Sequence, residues 1–294
     1  MDNKFKYLRP KSPKEACELK TKHGPKAKYL AGGTDLLLAL QGGGAAFNCF
    51  IDLTFLSGLN FIENSEGILR IGTLTTLADI ENASPENSLL ACLSAGAKQM
   101  CTPQTRNYAT VGGNLCNASP AADMSVIFVA LNAEVRVLGL SGERDVPVED
   151  FFTGVNQTAL NENEMLTEIR VPVPEMKTCA AFGRSGRTGV DIAQVNTAVS
   201  LSVDAEGVVA EARIAMGAVA PVPIRSRSAE KLLLGMDISE IDQTLLEKVS
   251  KQAASDAKPI TDIRASAAYR KEITKVLVRR SLEEAIQEFA GGTS

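Results

Sequence analysis

The chain has no tryptophan, a single histidine and only 5% aromatic residues. Single-stranded nucleic acid is held by bases stacking on aromatic side chains, so this scarcity argues against such a platform. Lysine and arginine (31) are outnumbered by aspartate and glutamate (35) and are spread along the chain, leaving a net charge of -4 and no basic footprint for nucleic acid or an anionic membrane. No apolar run reaches the ~18 residues of a membrane span, and Met1-Asp2-Asn3-Lys4-Phe5-Lys6 leads into no apolar signal segment, so a cytoplasmic protein is expected. The six cysteines, at 17, 49, 92, 101, 116 and 179, form no CxxC, and His23 is the sole imidazole. That leaves no ligand spacing for zinc or an iron–sulfur cluster in this chain, no metal site and no histidine pair for catalysis. The cysteines read as small buried hydrophobes.

What is present is apolar bulk: 294 residues, 45% hydrophobic, enough for a large core and for two packed units at roughly 150 residues per domain. The first segment alternates short strands and helices: Lys28–Ala31, a helix from Asp35 to about Gln41, then a β-rich run Phe50–Leu53, together a βαβ-like unit. A second subdomain is expected from near residue 56, with a strand at Ile68–Ile71 and helices at Leu74–Asn82 and Ser88–Met100. Val171-Pro172-Val173-Pro174 ends a strand in two prolines, which suit an edge or linker, so the domain boundary is placed there. Beyond it, Ala193–Val203 and Val208–Met216 flank the turn-like Asp204-Ala205-Glu206-Gly207 as a hairpin. Ile241–Ala257 and Ala265–Phe289 are charged helices whose apolar stripes are expected to bury against the sheet.

Two short stretches carry the functional signal. Ala31-Gly32-Gly33-Thr34-Asp35 and Thr110-Val111-Gly112-Gly113-Asn114 put paired glycines at the ends of apolar runs. Bare backbone there lets a ligand approach closely, and successive N–H groups can turn inward as an anion nest suited to a phosphate or pyrophosphate. Neither matches GxGxxG or GxxxxGK[ST], which sets aside the usual dinucleotide turn and the P-loop. Thr34 and Thr110 can offer hydroxyls to phosphate oxygens, and Asn114 can both donate and accept. The bland reading of the first stretch is a strand-to-helix turn in which Thr34 or Asp35 caps the next helix.

The stretch Thr102 through Asp123 resembles the second flavin-binding motif of the FAD subunits of molybdenum hydroxylases, the group of xanthine dehydrogenase and carbon monoxide dehydrogenase, and Lys28 through Asp35 resembles their first. Phe182–Val195 and Met216–Arg225 are similar to C-terminal signatures of the same subunits, so the resemblance covers nearly the whole chain. It implies an α+β chain: a two-subdomain FAD-binding fold of the p-cresol methylhydroxylase (PCMH) type over 1–176, split at about 55/56, then a smaller α+β domain over 177–294 like that of the carbon monoxide dehydrogenase flavoprotein. It further implies non-covalent FAD, held by Lys28, Tyr29, Leu30, Ala31, Gly32, Gly33, Thr34 and Asp35, by Thr110, Val111, Gly112, Gly113 and Asn114, and by Asp123, Leu166 and the Gly183-Arg184 pair. No catalytic acid or base is implied in this chain. The molybdenum cofactor would lie in a large partner subunit and two [2Fe–2S] clusters in a small one, in a dimer of heterotrimers, with NAD a candidate acceptor and substrate hydroxylated elsewhere.

Several of these residues also have plainer readings. Asp123 is expected one turn into a helix started by Ser119-Pro120, where a carboxylate gains ~0.3–1 kcal/mol from the helix N-terminus without touching any ligand. Leu166 on its own reads as a core strand residue. The family often carries lysine directly after the aromatic, where this chain has Gly183 and then Arg184; adjacent strand residues point to opposite faces, so the exchange is not conservative. His23, in a lysine-rich segment, reads as an exposed helix end rather than a covalent flavin link. Only Cys116 lies between Thr102 and Thr178, which disfavours the 4-hydroxybenzoyl-CoA reductase branch with its extra cluster in this subunit. The rival reading is a free-standing FAD oxidase or dehydrogenase with its own substrate, for which no general base can be nominated after the boundary, where there is no histidine and Tyr269 is the sole tyrosine.

Overall fold

A computed structural model describes residues 5–42, 47–84 and 87–291. The N-terminal part runs β1 (Lys6–Leu8), α1 (Pro13–His23), β2 (Ala27–Leu30), α2 (Leu36–Gln41) and β3 (Cys49–Asp52). The strands form a parallel sheet in the order β1-β3-β2, so β2-α2-β3 is a true βαβ unit. Ser12 accepts from the Glu15 amide and Pro13 fills the first turn of α1, while Gly24, at φ 58°, ends it. Ala16 and Cys17 of α1 pack on Ala27, Cys49 and Ile51, with Met165 closing the cluster from the next segment.

That next segment runs β4 (Ile62–Ser65), β5 (Ile68–Gly72), α3 (Leu77–Asn82), α4 (Ser88–Lys98), α5 (Pro103–Arg106), α6 (Val111–Asn117), α7 (Asp123–Ala130), β6 (Glu134–Gly139), β7 (Gly142–Pro147), α8 (Val148–Phe151), β8 (Phe152–Gly154), β9 (Gln157–Thr158) and β10 (Met165–Pro172). Five strands form an antiparallel sheet, β4-β5-β10-β6-β7. Alternation gives it two unlike faces. Leu69, Ile71, Val135, Val137, Ile169 and Val171 enter the core, while Arg70, Arg136, Glu168, Arg170 and Asp145 form cross-strand ion pairs on the other side. α7 is buried at every position, as its all-round apolar sequence requires. Pro172 lies beyond the last β6 partner of β10, Arg170 opposite Glu134, so the proline sits where only β5 is paired.

The C-terminal part runs β11 (Lys177–Ser185), β12 (Val195–Val203), β13 (Val209–Gly217), β14 (Ile224–Arg225), α9 (Arg227–Glu230), α10 (Gln243–Asp256) and α11 (Ala267–Phe289), with the strands antiparallel in that order. β12 is buried at all nine positions because α11 covers one side of the sheet and α7 the other. The expected hairpin at 204–207 is present, with Gly207 at φ 84°.

One local expectation is corrected. Ser119-Pro120 forms a turn, with the Ala122 amide donating to the Ser119 carbonyl, and the helix starts at Asp123. α10 packs along α11 and α9, with its buried Leu246, Val249 and Ala253 in the same core as the strands. Among the described residues no helix is long and apolar enough to cross a membrane.

Candidate functional site

A cleft of about 700 Å³ opens between the loop after β2 and the segment that runs through α6, with Thr73, Leu74 and the start of β10 also on its wall. Its size suits an extended ligand.

The two glycine pairs do different work. In the first loop Gly33 adopts φ 73°, a conformation that favours glycine, and its carbonyl accepts from the Leu37 amide at 3.0 Å to start α2. Gly32 is pressed on the neighbouring segment: a Cβ there would lie 1.6 Å from the Tyr108 carbonyl oxygen. The amides of Gly32, Gly33, Thr34 and Asp35 donate to no other described residue, so backbone donors on the cleft wall are left unspent. Asp35 stands at the N-cap position of α2, yet its side chain makes no cap hydrogen bond, so the simple capping role is not taken.

The second pair is inside α6, and its amides are spent. Gly112 donates to the Thr73 carbonyl, Gly113 to the Thr110 hydroxyl oxygen at 3.1 Å, and Asn114 to the Thr110 carbonyl. A second anion nest is therefore absent. Gly112 also allows close packing: a Cβ there would sit 1.8 Å from Thr73 Oγ1. The Thr110 hydroxyl keeps its proton to donate while it accepts from Gly113.

The cleft wall brings together Lys28, Tyr29, Ala31, Gly32, Gly33, Thr34 and Asp35 with Thr110, Gly112, Gly113, Asn114 and Leu166. Leu30 and Val111 lie behind it, Val111 fully buried. Leu166 is both things at once, a buried residue of β10 and part of the wall. Asp123, Gly183 and Arg184 are not on that wall. Gly183 faces α11, where a Cβ would meet Ser281 Oγ at 2.8 Å and Thr197 Oγ1 at 3.2 Å, whereas Arg184 faces the other way and binds Asp123. Burial pushes the Asp123 carboxyl above its ordinary range, and Arg184 and Asn196 oppose that push.

Residues the sequence reading did not nominate also line the cleft. Lys20 is buried on α1, donates to the Gly24 carbonyl at 3.0 Å, and stands 3.6 Å from the Glu162 carboxylate; burial lowers its pKa. Asn117 lies one helical turn after Asn114, a spacing that could have found it. Lys20 and Glu162 are far apart in sequence and carry no motif.

The wall also holds unmet polar capacity. Asn114 Oδ1 is buried without a hydrogen-bond partner among the described residues, whereas the Tyr29 hydroxyl lies beside the buried Cys17 thiol, and burial raises the Tyr29 pKa. Together with the free loop amides, these groups fit a ligand carrying both acceptor-rich phosphates and polar ring edges. Among the described residues no histidine lines the cleft.

Cleft, glycine loop with unspent amides and trailing α+β part describe a chain suited to a nucleotide-like ligand. Residues 3–174 match the family "FAD binding domain in molybdopterin dehydrogenase" and residues 180–285 match the carbon monoxide dehydrogenase flavoprotein C-terminal domain. The chain is 32% identical to the xanthine dehydrogenase FAD-binding subunit of Escherichia coli O157:H7 over 91% of each chain, and 32% identical to the carbon monoxide dehydrogenase medium chain of Hydrogenophaga pseudoflava over 96% of this chain and 97% of that one. Its fold superposes on a chain of a Hydrogenophaga pseudoflava carbon monoxide dehydrogenase structure with TM-score 0.90, covering 96% and 97% of the two, and on one of quinoline 2-oxidoreductase from Pseudomonas putida 86 with TM-score 0.88 at 28% identity, covering 97% of each. The chain belongs to the FAD-binding subunits of the molybdenum hydroxylases, the oxidoreductase family of xanthine and carbon monoxide dehydrogenases.

Proposed function

We propose that this chain is the electron-transfer subunit of a heterotrimer, taking electrons from a small subunit with two [2Fe–2S] clusters that is fed by a large molybdenum-cofactor subunit. FAD supplies the exchange between one- and two-electron transfer. The observation that carries the reading is the row of amides at Gly32–Asp35, on the cleft wall, that donate to no other described residue. In this reading those amides hold the pyrophosphate, Thr34 and Thr110 add hydroxyl contacts, Asn114 turns its unmet oxygen to the nucleotide, Tyr29 lines the wall, and Leu166 packs on it. Lys28, Leu30, Ala31 and Val111 shape the walls, Gly112 and Gly113 keep α6 close, and Asp123 with Gly183 and Arg184 border the flavin end. The cofactor is non-covalent in this reading, and His23 ends α1 off the cleft wall. The units are 1–176, divided at about 55/56, and 177–294; the assembly is a cytoplasmic dimer of heterotrimers, and the acceptor is NAD.

The test is anaerobic stopped-flow on the purified chain, alone and co-expressed with its two partners. Bleaching of the flavin by an N-heterocyclic or purine substrate only in the trimer, followed by reoxidation with NAD, supports the reading. Substrate turnover by the lone chain would overturn it.

A further inference from the structure

The segment between β9 and β10 is a loop with a fastened base. Arg144 donates to the Ala159 carbonyl at 2.8 Å and to the two Glu164 carboxylate oxygens at 3.0 and 2.7 Å, so one side chain holds both ends of the loop. Within it, the Asn161 amide donates to Glu164 Oε2 at 2.8 Å and the Glu164 amide to the Asn161 carbonyl at 3.1 Å. Upstream, Asn156 hooks onto the end of α6, its amide donating to the Ala118 carbonyl and its Nδ2 to the Asn117 carbonyl at 2.8 Å. Glu162 is left at the tip with its side chain 58% exposed, and among the described residues its carboxylate meets one cation, Lys20, at 3.6 Å.

Lys20 approaches from α1, and its side chain is only 9% exposed. Among the described residues it makes a single hydrogen bond, to the Gly24 carbonyl at 3.0 Å; Glu162, at 3.6 Å, acts on it through charge. Glu162 also lies against the end of α1, where a Cβ on Gly24 would stand 3.9 Å from Glu162 Oε1. Lys20, Pro25, Asn161 and Glu162 all line the cleft. The pair therefore joins two segments of the wall: the end of α1, ahead of the strand that carries the amide-bearing loop, and the loop that leads into β10 and Leu166. Spreading these segments widens the cleft, and it parts the two charges.

We propose, on the reading that this cleft is the nucleotide site, that Lys20 and Glu162 form a charge clasp that holds the cleft closed where the two segments meet and sets how fast the nucleotide enters and leaves. An ion pair with one exposed partner adds little to equilibrium stability. As a clasp it acts on rates: it parts for the ligand to pass and re-forms once the ligand is in, so it slows entry and exit alike. Parting leaves the Lys20 ammonium buried with one carbonyl for company, which drives the clasp back together. Lys20 and Glu162 are positioning residues, acting through the loop and α1 rather than on the ligand.

The test uses the full deflavinated chain and FAD, with uptake followed by stopped-flow fluorescence and release followed after dilution of the loaded chain. Glu162→Gln is expected to raise both rate constants by about two- to fivefold while their ratio, the Kd, moves by less than about twofold. Lys20→Met is expected to do the same, and the double variant to be no faster than either single one, because each change opens the same clasp. If Lys20→Met does not fold, Glu162→Gln, at an exposed tip, still decides. A carboxylate that merely repelled an anionic ligand would give faster uptake and slower release on Glu162→Gln; a lysine that touched the ligand would give faster release with unchanged uptake on Lys20→Met; a pair that served only the fold would leave both rates unchanged. Any of these results would overturn the clasp while leaving the nucleotide site standing. A parent chain that takes up no FAD would instead overturn the site, and the clasp with it.

Discussion

Gly32→Ala is the sharpest perturbation the structure offers. The new methyl carbon would lie 1.6 Å from the Tyr108 carbonyl oxygen, 2.5 Å from its carbon and 3.2 Å from the Ala109 nitrogen, all backbone atoms that cannot rotate aside. The loop must retreat by more than an ångström. Overpacking of this kind costs about 1–3 kcal/mol of folding stability. The larger effect falls on the ligand, because the retreating backbone carries the free amides of residues 32–35. Loss of two hydrogen bonds to a charged phosphate, each about 1.5–3 kcal/mol, weakens FAD binding by about 3 kcal/mol or more, upward of a hundredfold. The assay is fluorescence titration of the deflavinated chain with FAD, with thermal unfolding of the same samples. Gly189→Ala, where an added Cβ meets nothing within 4 Å, serves as the control and should bind normally. If Gly32→Ala bound FAD like the parent chain, the assignment of this loop as the phosphate cradle would be wrong.

Three further outcomes follow from particular contacts. Asn114→Ala removes a buried carbonyl oxygen that has no partner among the described residues, so the deflavinated chain should keep or gain stability while FAD affinity drops by about 1–2 kcal/mol, a split that calorimetry of the two states resolves. Arg106 is buried, pairs with Glu81 at 2.6 Å and donates to the carbonyls of Lys98, Met100 and Cys101; Arg106→Met should cost about 3 kcal/mol in denaturant unfolding and loosen the Cys101 segment of the wall. Hydrogen bonding from Arg144 holds the Glu164 carboxyl down at about 2, so the stability it contributes is complete above the ordinary carboxylate range near 4.5 and is lost as the pH falls from there toward 2. Arg144→Gln should therefore lower stability at neutral pH and flatten the acid limb of the stability curve, and the two curves should converge near pH 2.

Much of the architecture was legible because its signals are local. The βαβ start, the hairpin around Gly207 and the long last helix rest on periodicity and turn chemistry that tertiary packing did not override. Boundaries moved where caps decide them. The helix expected from Leu74 begins at Leu77, because Thr76 and Asp79 form a capping box and Leu74 is a wall residue of the cleft. Ser119-Pro120 carries the composition of a helix start, yet Pro120 sits in a turn that hands its carbonyl to the Ala218 amide, a contact no local pattern announces. The glycine pairs correctly marked the cleft, but identical letters hid different uses: one pair frees its amides, and the other lies in a helix that consumes them. Lys20, Glu162 and the Asp123–Arg184 pair depend on long-range closure, which sequence spacing does not report.

The central claim is that this cleft holds FAD without a covalent bond. An absorption spectrum of the purified chain before and after acid precipitation addresses it directly. The account predicts a yellow protein whose flavin is released entirely into the acid supernatant and rebinds one equivalent per chain. Flavin that stays with the precipitate, or a colourless chain that cannot be reconstituted with FAD, would contradict it.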